Sequence, residues 1–406
     1  MEVRCTWAGT PATQTFTWQV WFAGHLMVAP SSLGLFPGWG VASVVRSRRG
    51  HFALLSDVDN AVWLDHRNEM VVRLREQAAP QRRLDLIFWC CDHGAAVRMR
   101  VPRQRGVFAL PAAGAGVNYR FPVGTAGWLP VAGGGFRPVP LALAPMCETP
   151  LTLQYPHGKL ACLLTAGGAP LTLRAAGDGW AVDTALLTPK RPYLSPWQVV
   201  LLADAPRDLL AQSSWLPTLA PCPRADVPVC EAVANCTLPF VRYALWPANR
   251  TGAPTAAPDV TPAHRLAVAL LAGGGESGWD ETRVLRGAIG AFLVLARRSG
   301  QVWQVGGITG AEGRVLTVRL EEILNGVPWE DAPPYGTYTL EIVRDPLPGE
   351  AAADGVVRET FHGVDLWDKP RLELLPKGGF LLRLEPEAAA GRSDAARGLV
   401  ESGLCS

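Results

Sequence analysis

"AFLVLARRSGQVWQVGGIT", residues 291–309, decides the fold. Two runs rich in Val, Leu, Ile and Trp flank Ser299-Gly300, and that break is a hairpin turn signal. Downstream, "RVLTVRLE", "GTYTLEIVRD" and "LELLPKGGFLLRLEP" repeat the theme, with turns at Gly-Ala-Glu-Gly and Gly-Gly. The reading is a small antiparallel β-sandwich over 279–386. The tail at 387–406, "EAAAGRSDAARGLVESGLCS", is expected to be disordered.

Upstream of the hairpin the character changes. "PTLAPCPRADVP" and "PANRTGAPTAAPDV" are rich in Pro and Ala and lack periodicity, as linkers do. Between them "EAVANCTLPFVRYALWP", residues 231–247, reads as a loop entering a short buried strand. "TPAHRLAVALLAG" then carries a helix signature, with Thr261 as N-cap, Pro262 at the first helical position and Gly273 as stop. Its apolar residues Leu266, Val268, Ala269, Leu270 and Leu271 spread around the helix, and no partner for that surface is apparent. From residue 16 to about 215 lie many short strands, among them "FTWQVWFAGHLMVAP", "RLDLIFWCCD", "KLACLLTAGG" and "WQVVLLADA". They predict a large N-terminal β-sandwich over 1–220, closed by the short helix "PRDLLAQSSWL".

Composition sets limits. The 406 residues are 48% hydrophobic and 18% charged, with a net charge of +2. Nothing in that balance favours nucleic acid or an anionic membrane as a partner. No apolar run reaches the roughly 18 residues of a membrane helix, and no signal-peptide pattern is visible, so the compartment stays open. Nine cysteines at irregular spacing do not form a disulfide framework. In "CCDH", residues 90–93, adjacent strand thiols point to opposite faces, so core plus turn is the better reading than metal. "GGG" at 133–135 and 273–275 lacks the context of a phosphate loop. His264 reads as a packed or capping residue. Trp18, Trp21, Trp39, Trp128 and Trp180 fit a sandwich core better than a sugar-stacking surface.

The ordered segments "VWFAGHLMVAPSSLGL", "FWCCDHGAAVRMRVP", "TLPFVRYALWP" and "TPAHRLAVAL" are similar to those of glycoside hydrolase family 97. The likeness is most specific in "WDETRVLRGAIGAFLVLARRSGQVWQVGGIT", residues 279–309. This resemblance implies α-glucosidase or α-galactosidase chemistry and three parts: an N-terminal β-sandwich, a central (β/α)8 barrel and a C-terminal β-sandwich. A barrel takes ~250 residues. The segment 221–278 holds only a linker and a short barrel remnant. The expected fold is therefore mainly β, with a large N-terminal and a smaller C-terminal antiparallel sandwich joined by that remnant.

The same resemblance bears on the site. Glu231 matches the first of two family carboxylates, six residues apart, that serve calcium and the attacking water. Thr237 stands where the second should be, and Asn249 where the family has an Asp. No carboxylate occurs in 163–168, where the resemblance would place a calcium ligand. Calcium wants several hard oxygens held together, and hydrolysis wants two opposed carboxyl groups. Glu231 is thus the one candidate catalytic residue. No metal site is expected and no cofactor, although calcium belongs to the resembled family. The expectation is an inactive chain on its own, either a remnant or the product of a gene model that lost coding segments. The alternative is a carbohydrate-binding or interaction protein built from two β-sandwiches. Carbohydrate is the candidate partner; oligomeric state is open.

Overall fold

The computed structural model describes residues 1–8, 15–35, 38–54, 62–104, 118–130, 136–166, 171–183, 193–211, 219, 260–271, 280–324 and 337–387. The chain divides into two compact units, Met1–Ala53 with Trp63–Leu129 and Arg137–Arg224, and Leu54–Val62 with Pro130–Phe136 and Ala225–Ser406.

In chain order the earlier strands are β1 (Glu2–Ala8), β2 (Thr15–Phe22), β3 (His25–Ser32), β4 (Trp39–Leu54), β5 (Val62–Glu76), β6 (Arg83–Cys91), β7 (Gly94–Val101), β8 (Asn118–Arg120) and β9 (Ala126–Pro130). They continue with β10 (Phe136–Pro140), β11 (Met146–Glu148), β12 (Leu151–Gln154), β13 (Leu160–Ala166), β14 (Thr172–Ala176), β15 (Gly179–Asp183), β16 (Tyr193–Leu194) and β17 (Trp197–Ala203), before α1 (Pro206–Ala211). One sheet has the order β1-β2-β3-β8-β15-β14-β11. The other runs β10-β9-β12-β13-β17-β7-β6-β5-β4, with β16 added beside β7.

The two sheets share one core. Phe16, Trp18 and Val20 of β2 meet Leu84, Leu86 and Phe88 of β6. Two hydroxyls tie the layers where apolar packing alone would leave polar atoms stranded. Tyr119 donates to Gln198 Oε1 at 2.6 Å, and Tyr155 donates to the Met27 carbonyl at 2.6 Å. The larger sheet is apolar on its other face too. Ile87, Trp89, Cys162, Leu164, Trp197 and Val199 form a second buried cluster there, joined by Leu209 of α1. That is why "LDLIFWC" and "LACLL" read as continuous apolar runs: strands covered on both faces lose the polar alternate.

The second unit contains α2 (Pro262–Leu271), β18 (Glu281–Ala288), β19 (Phe292–Ser299), β20 (Val302–Thr309), β21 (Arg314–Thr317), α3 (Leu320–Leu324), β22 (Tyr338–Arg344), β23 (Val357–Val364), β24 (Arg371–Leu374) and β25 (Gly379–Pro386). The stretch 291–309 forms the expected hairpin, with Ser299 opposite Val302. Its sheet has the order β18-β19-β20-β25-β22-β23, and β21 pairs with β24 in a separate ribbon. Trp303, Val305, Phe380 and Leu382 from the sheet pack against Leu316, Leu372 and Leu374 of the ribbon. Both units are antiparallel β-sandwiches, and the mainly β expectation holds.

One expectation is corrected. The sequence left the helix at 262–271 without a partner for its apolar surface. In the structure α2 packs across β20 and β25. The buried stripe is Ala263, His264, Ala267 and Leu270, while Leu266 points outward at 41% exposure. Spacings of 1, 3 and 3 keep those four on one side, a narrower face than composition suggested. The helix lies on the face of β25 opposite the core, since Gly379 faces it and Phe380 does not.

Candidate functional surface

The residue singled out by resemblance, Glu231, lies outside the described residues, as do Thr237 and Asn249. The same holds for Gly273. Among the described residues no group of three or more His, Cys, Asp or Glu side chains is arranged to hold a metal ion. Cys90 and Cys91 lie on β6 without a disulfide, Cys91 Sγ reaching the Gly94 carbonyl at 3.5 Å, and Asp92-His93-Gly94 makes the turn into β7. His93 offers its backbone carbonyl to Leu202 N–H at 2.9 Å, a structural role.

The tryptophans divide sharply. Trp18, Trp39 and Trp180 are core residues of the first unit. Trp21 and Trp128 are half-buried, and the Arg4 guanidinium covers the Trp21 ring at 4.7 Å. A cleft of about 480 Å³ on the larger sheet is lined by Glu69, Arg73, Trp89, Arg98 and Arg100. Its indole is not an open platform: Trp89 donates to Glu69 Oε2 at 2.8 Å, and the Arg98 guanidinium lies over the Trp89 ring at 5.8 Å. Sugar stacking needs a free ring face, and this cleft spends its faces on cation–π contacts.

Trp367 is different. It is 69% exposed, in the turn between β23 and β24. The turn is held by its own aspartates. Trp367 N–H donates to Asp365 Oδ1 at 2.7 Å, and Asp365 N–H donates to Asp368 Oδ2 at 2.8 Å. Asp side chains that bond the backbone two residues on are a standard turn device. The turn also docks on the segment after β21, where Val318 N–H reaches the Pro370 carbonyl at 3.0 Å. Sequence reading passed over Trp367. The signal was present in "VDLWDKP": an indole between two aspartates, followed by Lys-Pro, has no place in an apolar strand.

A second polar centre anchors α2. Asp345 is 1% exposed; its Oδ1 accepts from Ala263 N–H at 3.3 Å and its Oδ2 from Gly379 N–H at 2.7 Å. Thr261 Oγ1 accepts from His264 N–H at 3.2 Å, as an N-cap does. His264 Nδ1 lies 3.2 Å from the Gly378 carbonyl, and burial holds its pKa below the ordinary histidine range. Next door, Arg344 joins Glu350 at 2.6 Å and Glu359 at 3.2 Å. Those pairings raise the guanidinium pKa further, and the hydrogen bond to Glu350 is the largest cause. At the head of β18, Arg298 faces Glu281 at 3.4 Å and Asp280 at 4.0 Å. These groups assemble structure, and each carboxylate is already engaged.

A family model described as glycosyl-hydrolase 97 N-terminal matches residues 2–221. The chain belongs to glycoside hydrolase family 97. A second model, glycosyl-hydrolase 97 C-terminal, oligomerisation, matches residues 278–385 of this family 97 chain. A "Retaining alpha-galactosidase" of Bacteroides thetaiotaomicron is 31% identical over 107 residues, which is 26% of this chain and 14% of that protein. The chain therefore matches only a small part of that relative's length. Among solved structures, a family 97 enzyme from Pseudoalteromonas sp. in complex with acarbose superposes with a TM-score of 0.66 at 12% identity, covering 95% of this chain and 99% of that one. A beta-arabinopyranosidase gives 0.62 at 13% identity, covering 94% and 98%. At such identities the two likenesses show a shared fold.

Proposed function

We propose that this family 97 chain works by association and not by turnover, as a catalytically silent pair of β-sandwiches that engages carbohydrate and copies of itself. One observation carries the reading. The two family matches end at 221 and begin at 278. The intervening residues are far fewer than the ~250 of a (β/α)8 barrel. Glycoside hydrolysis needs two carboxyl groups placed on either side of the scissile bond. Glu231 is the single family carboxylate matched in that interval, and one acid–base group of a pair leaves most of the rate acceleration unsupplied. The assay is incubation of the purified chain with aryl α-glucoside and aryl α-galactoside. No turnover is expected; turnover abolished by Glu231→Gln would overturn the reading.

A second reading, an active glycosidase whose coding sequence was shortened between codons 221 and 278, rests on the same gap. Reading the transcript across those codons separates the two. A continuous read supports the silent chain, and barrel-length extra sequence supports the enzyme.

A further inference from the structure

We propose that the outer face of β5, β6 and β7 is a binding site for an anionic glycan, one that carries carboxylate or sulfate groups along its chain. The inference rests on the carbohydrate part of the reading above and names the class of sugar. Strand register sets the residues of this face in rows. Glu69, Trp89 and Ala96 lie side by side, then Val71, Ile87 and Arg98, then Arg73, Asp85 and Arg100, then Arg75 and Arg83. Alternation keeps the rows on one face, because the residues between them, among them Val72, Leu74, Leu86 and Phe88, point into the core. The cleft of about 480 Å³ takes in residues of the first three rows. A neighbouring cleft of about 380 Å³ takes in residues of the last two, and Arg73 lines both.

The charge of this face is one-sided, although the chain as a whole carries only +2. Five arginines line the two clefts against two carboxylates, and both carboxylates are committed. Asp85 is 6% exposed and its Oδ2 accepts from Arg100 Nε at 2.9 Å and Nη2 at 2.6 Å. Glu69 accepts from the Trp89 indole. Arg73 and Arg83 are exposed and form no ion pair among the described residues. Arg83 stands directly opposite Arg75, and like charges so placed destabilise a sheet. A bound anion removes that repulsion. The planar guanidinium fork matches the paired oxygens of a carboxylate or a sulfate. Several of the forks are held in place beforehand. Arg98 lies over Trp197 at 4.1 Å, Asp85 holds Arg100, and Arg75 Nη2 donates to Gln81 Oε1 at 2.5 Å, so binding orders few side chains. Arg73 and Arg100 stand two strands apart, ~10 Å, which suits successive charges along one chain better than a single small ion. Single-stranded nucleic acid would need open aromatic faces for its bases, and Arg98 lies over the indoles here.

The test is isothermal titration of the full chain with oligogalacturonate, with sulfated dextran oligosaccharide and with neutral maltoheptaose. At least one anionic glycan should bind, and maltoheptaose should bind at least about ten-fold more weakly, the scale of one charge-assisted hydrogen bond. Binding of oligogalacturonate alone assigns carboxylate as the group read, and binding of sulfated dextran alone assigns sulfate. Affinity should fall as salt rises from about 0.05 to 0.5 M, since screening tightens over that range. Arg73→Gln and Arg83→Gln remove exposed charge without adding a carboxylate, and each should weaken binding about ten-fold at an unchanged melting temperature. Arg358→Gln, at an exposed arginine of β23 in the second unit, removes the same charge elsewhere and should leave binding as it is. An equal loss from Arg358→Gln would show attraction to overall charge and overturn the site. Maltoheptaose binding as tightly as the anionic glycans, indifferent to Arg73→Gln, would leave the carbohydrate reading standing and overturn this site. No binding of any of the three glycans would overturn both. Single-stranded DNA bound more tightly than either anionic glycan, and lost in Arg73→Gln, would make the face a nucleic-acid site and overturn the assignment to sugar.

Discussion

Asp345→Ala tests whether α2 is a built part of the second unit. The carboxylate is buried, and its two oxygens accept from two backbone amides, Ala263 on the helix and Gly379 on β25. Both contacts are shielded from water. Removing the acceptor leaves two buried donors unsatisfied, at ~1–3 kcal/mol each. The 2.7 Å bond to Gly379 should contribute near the top of that range and the 3.3 Å bond to Ala263 near the bottom. The expected loss is therefore about 4 kcal/mol. Asp345→Asn keeps one oxygen but aims an amide donor at another donor, so it should fall between Asp345→Ala and the native chain. Two readouts separate local from global loss. Urea denaturation gives the stability of the unit, and amide hydrogen exchange reports opening of 263–270. Undocking of α2 should also expose Arg265 to trypsin, which the native helix should withhold. If Asp345→Ala shifts stability by less than ~0.5 kcal/mol and leaves exchange at 263–270 unchanged, the carboxylate does not hold the helix and the docking argument fails.

The remaining predictions use neighbouring groups. His264 has a depressed pKa because burial disfavours its charged form, so the unfolded chain binds the proton more readily. Its contribution is whole above the unfolded value of ~6.5 and fades as pH falls below that, with a slope of at most ~1.4 kcal/mol per pH unit. Urea midpoints at pH 7.5 and 5.5 should diverge less in His264→Gln, and an unchanged divergence would refute the assignment. Gly379→Ala would place a Cβ 2.6 Å from His264 Cα, where only backbone could yield. It should cost ~1–3 kcal/mol by overpacking and loosen α2 in the same exchange assay; native-like exchange and stability would show that the helix is not seated so closely. On the first unit, the rings of His25 and His157 lie 4.2 Å apart, and the His157 pKa is lowered by burial, then by His25 and Lys159. His25→Ala should raise the His157 pKa in an NMR titration, and no change would remove His25 as a cause. Calcium should leave the melting temperature of the chain where it is; a clear rise at micromolar calcium would reveal an assembled set of ligands.

What the sequence made legible was local. Strands announce themselves through alternation, and the hairpin at Ser299-Gly300 needs nothing from the rest of the chain. Thr261 and Pro262 likewise mark the start of α2 from within four residues. The seat of that helix was not legible, because it depends on Asp345 and Gly379, far along the chain, and on the tolerance of one glycine for a close helix backbone. The tryptophans show the same division. Trp18 and Trp367 are one residue type, and only the fold separates a ring sealed against Phe88 and Tyr119 from a ring standing in solvent. Glu231 came from resemblance alone, and no neighbouring group in the sequence completes its chemistry. The anchoring of α2 bears on how a family 97 chain can hold together with so short a central segment. A helix whose N-terminus is capped by Asp345 and whose buried stripe lies on β20 and β25 takes its stability from the C-terminal sandwich. Burying even two of its apolar side chains there is worth ~2–5 kcal/mol, and none of that requires barrel strands beneath it. Such a helix takes its seat from the sheet it packs on, whatever the central segment of the chain contributes.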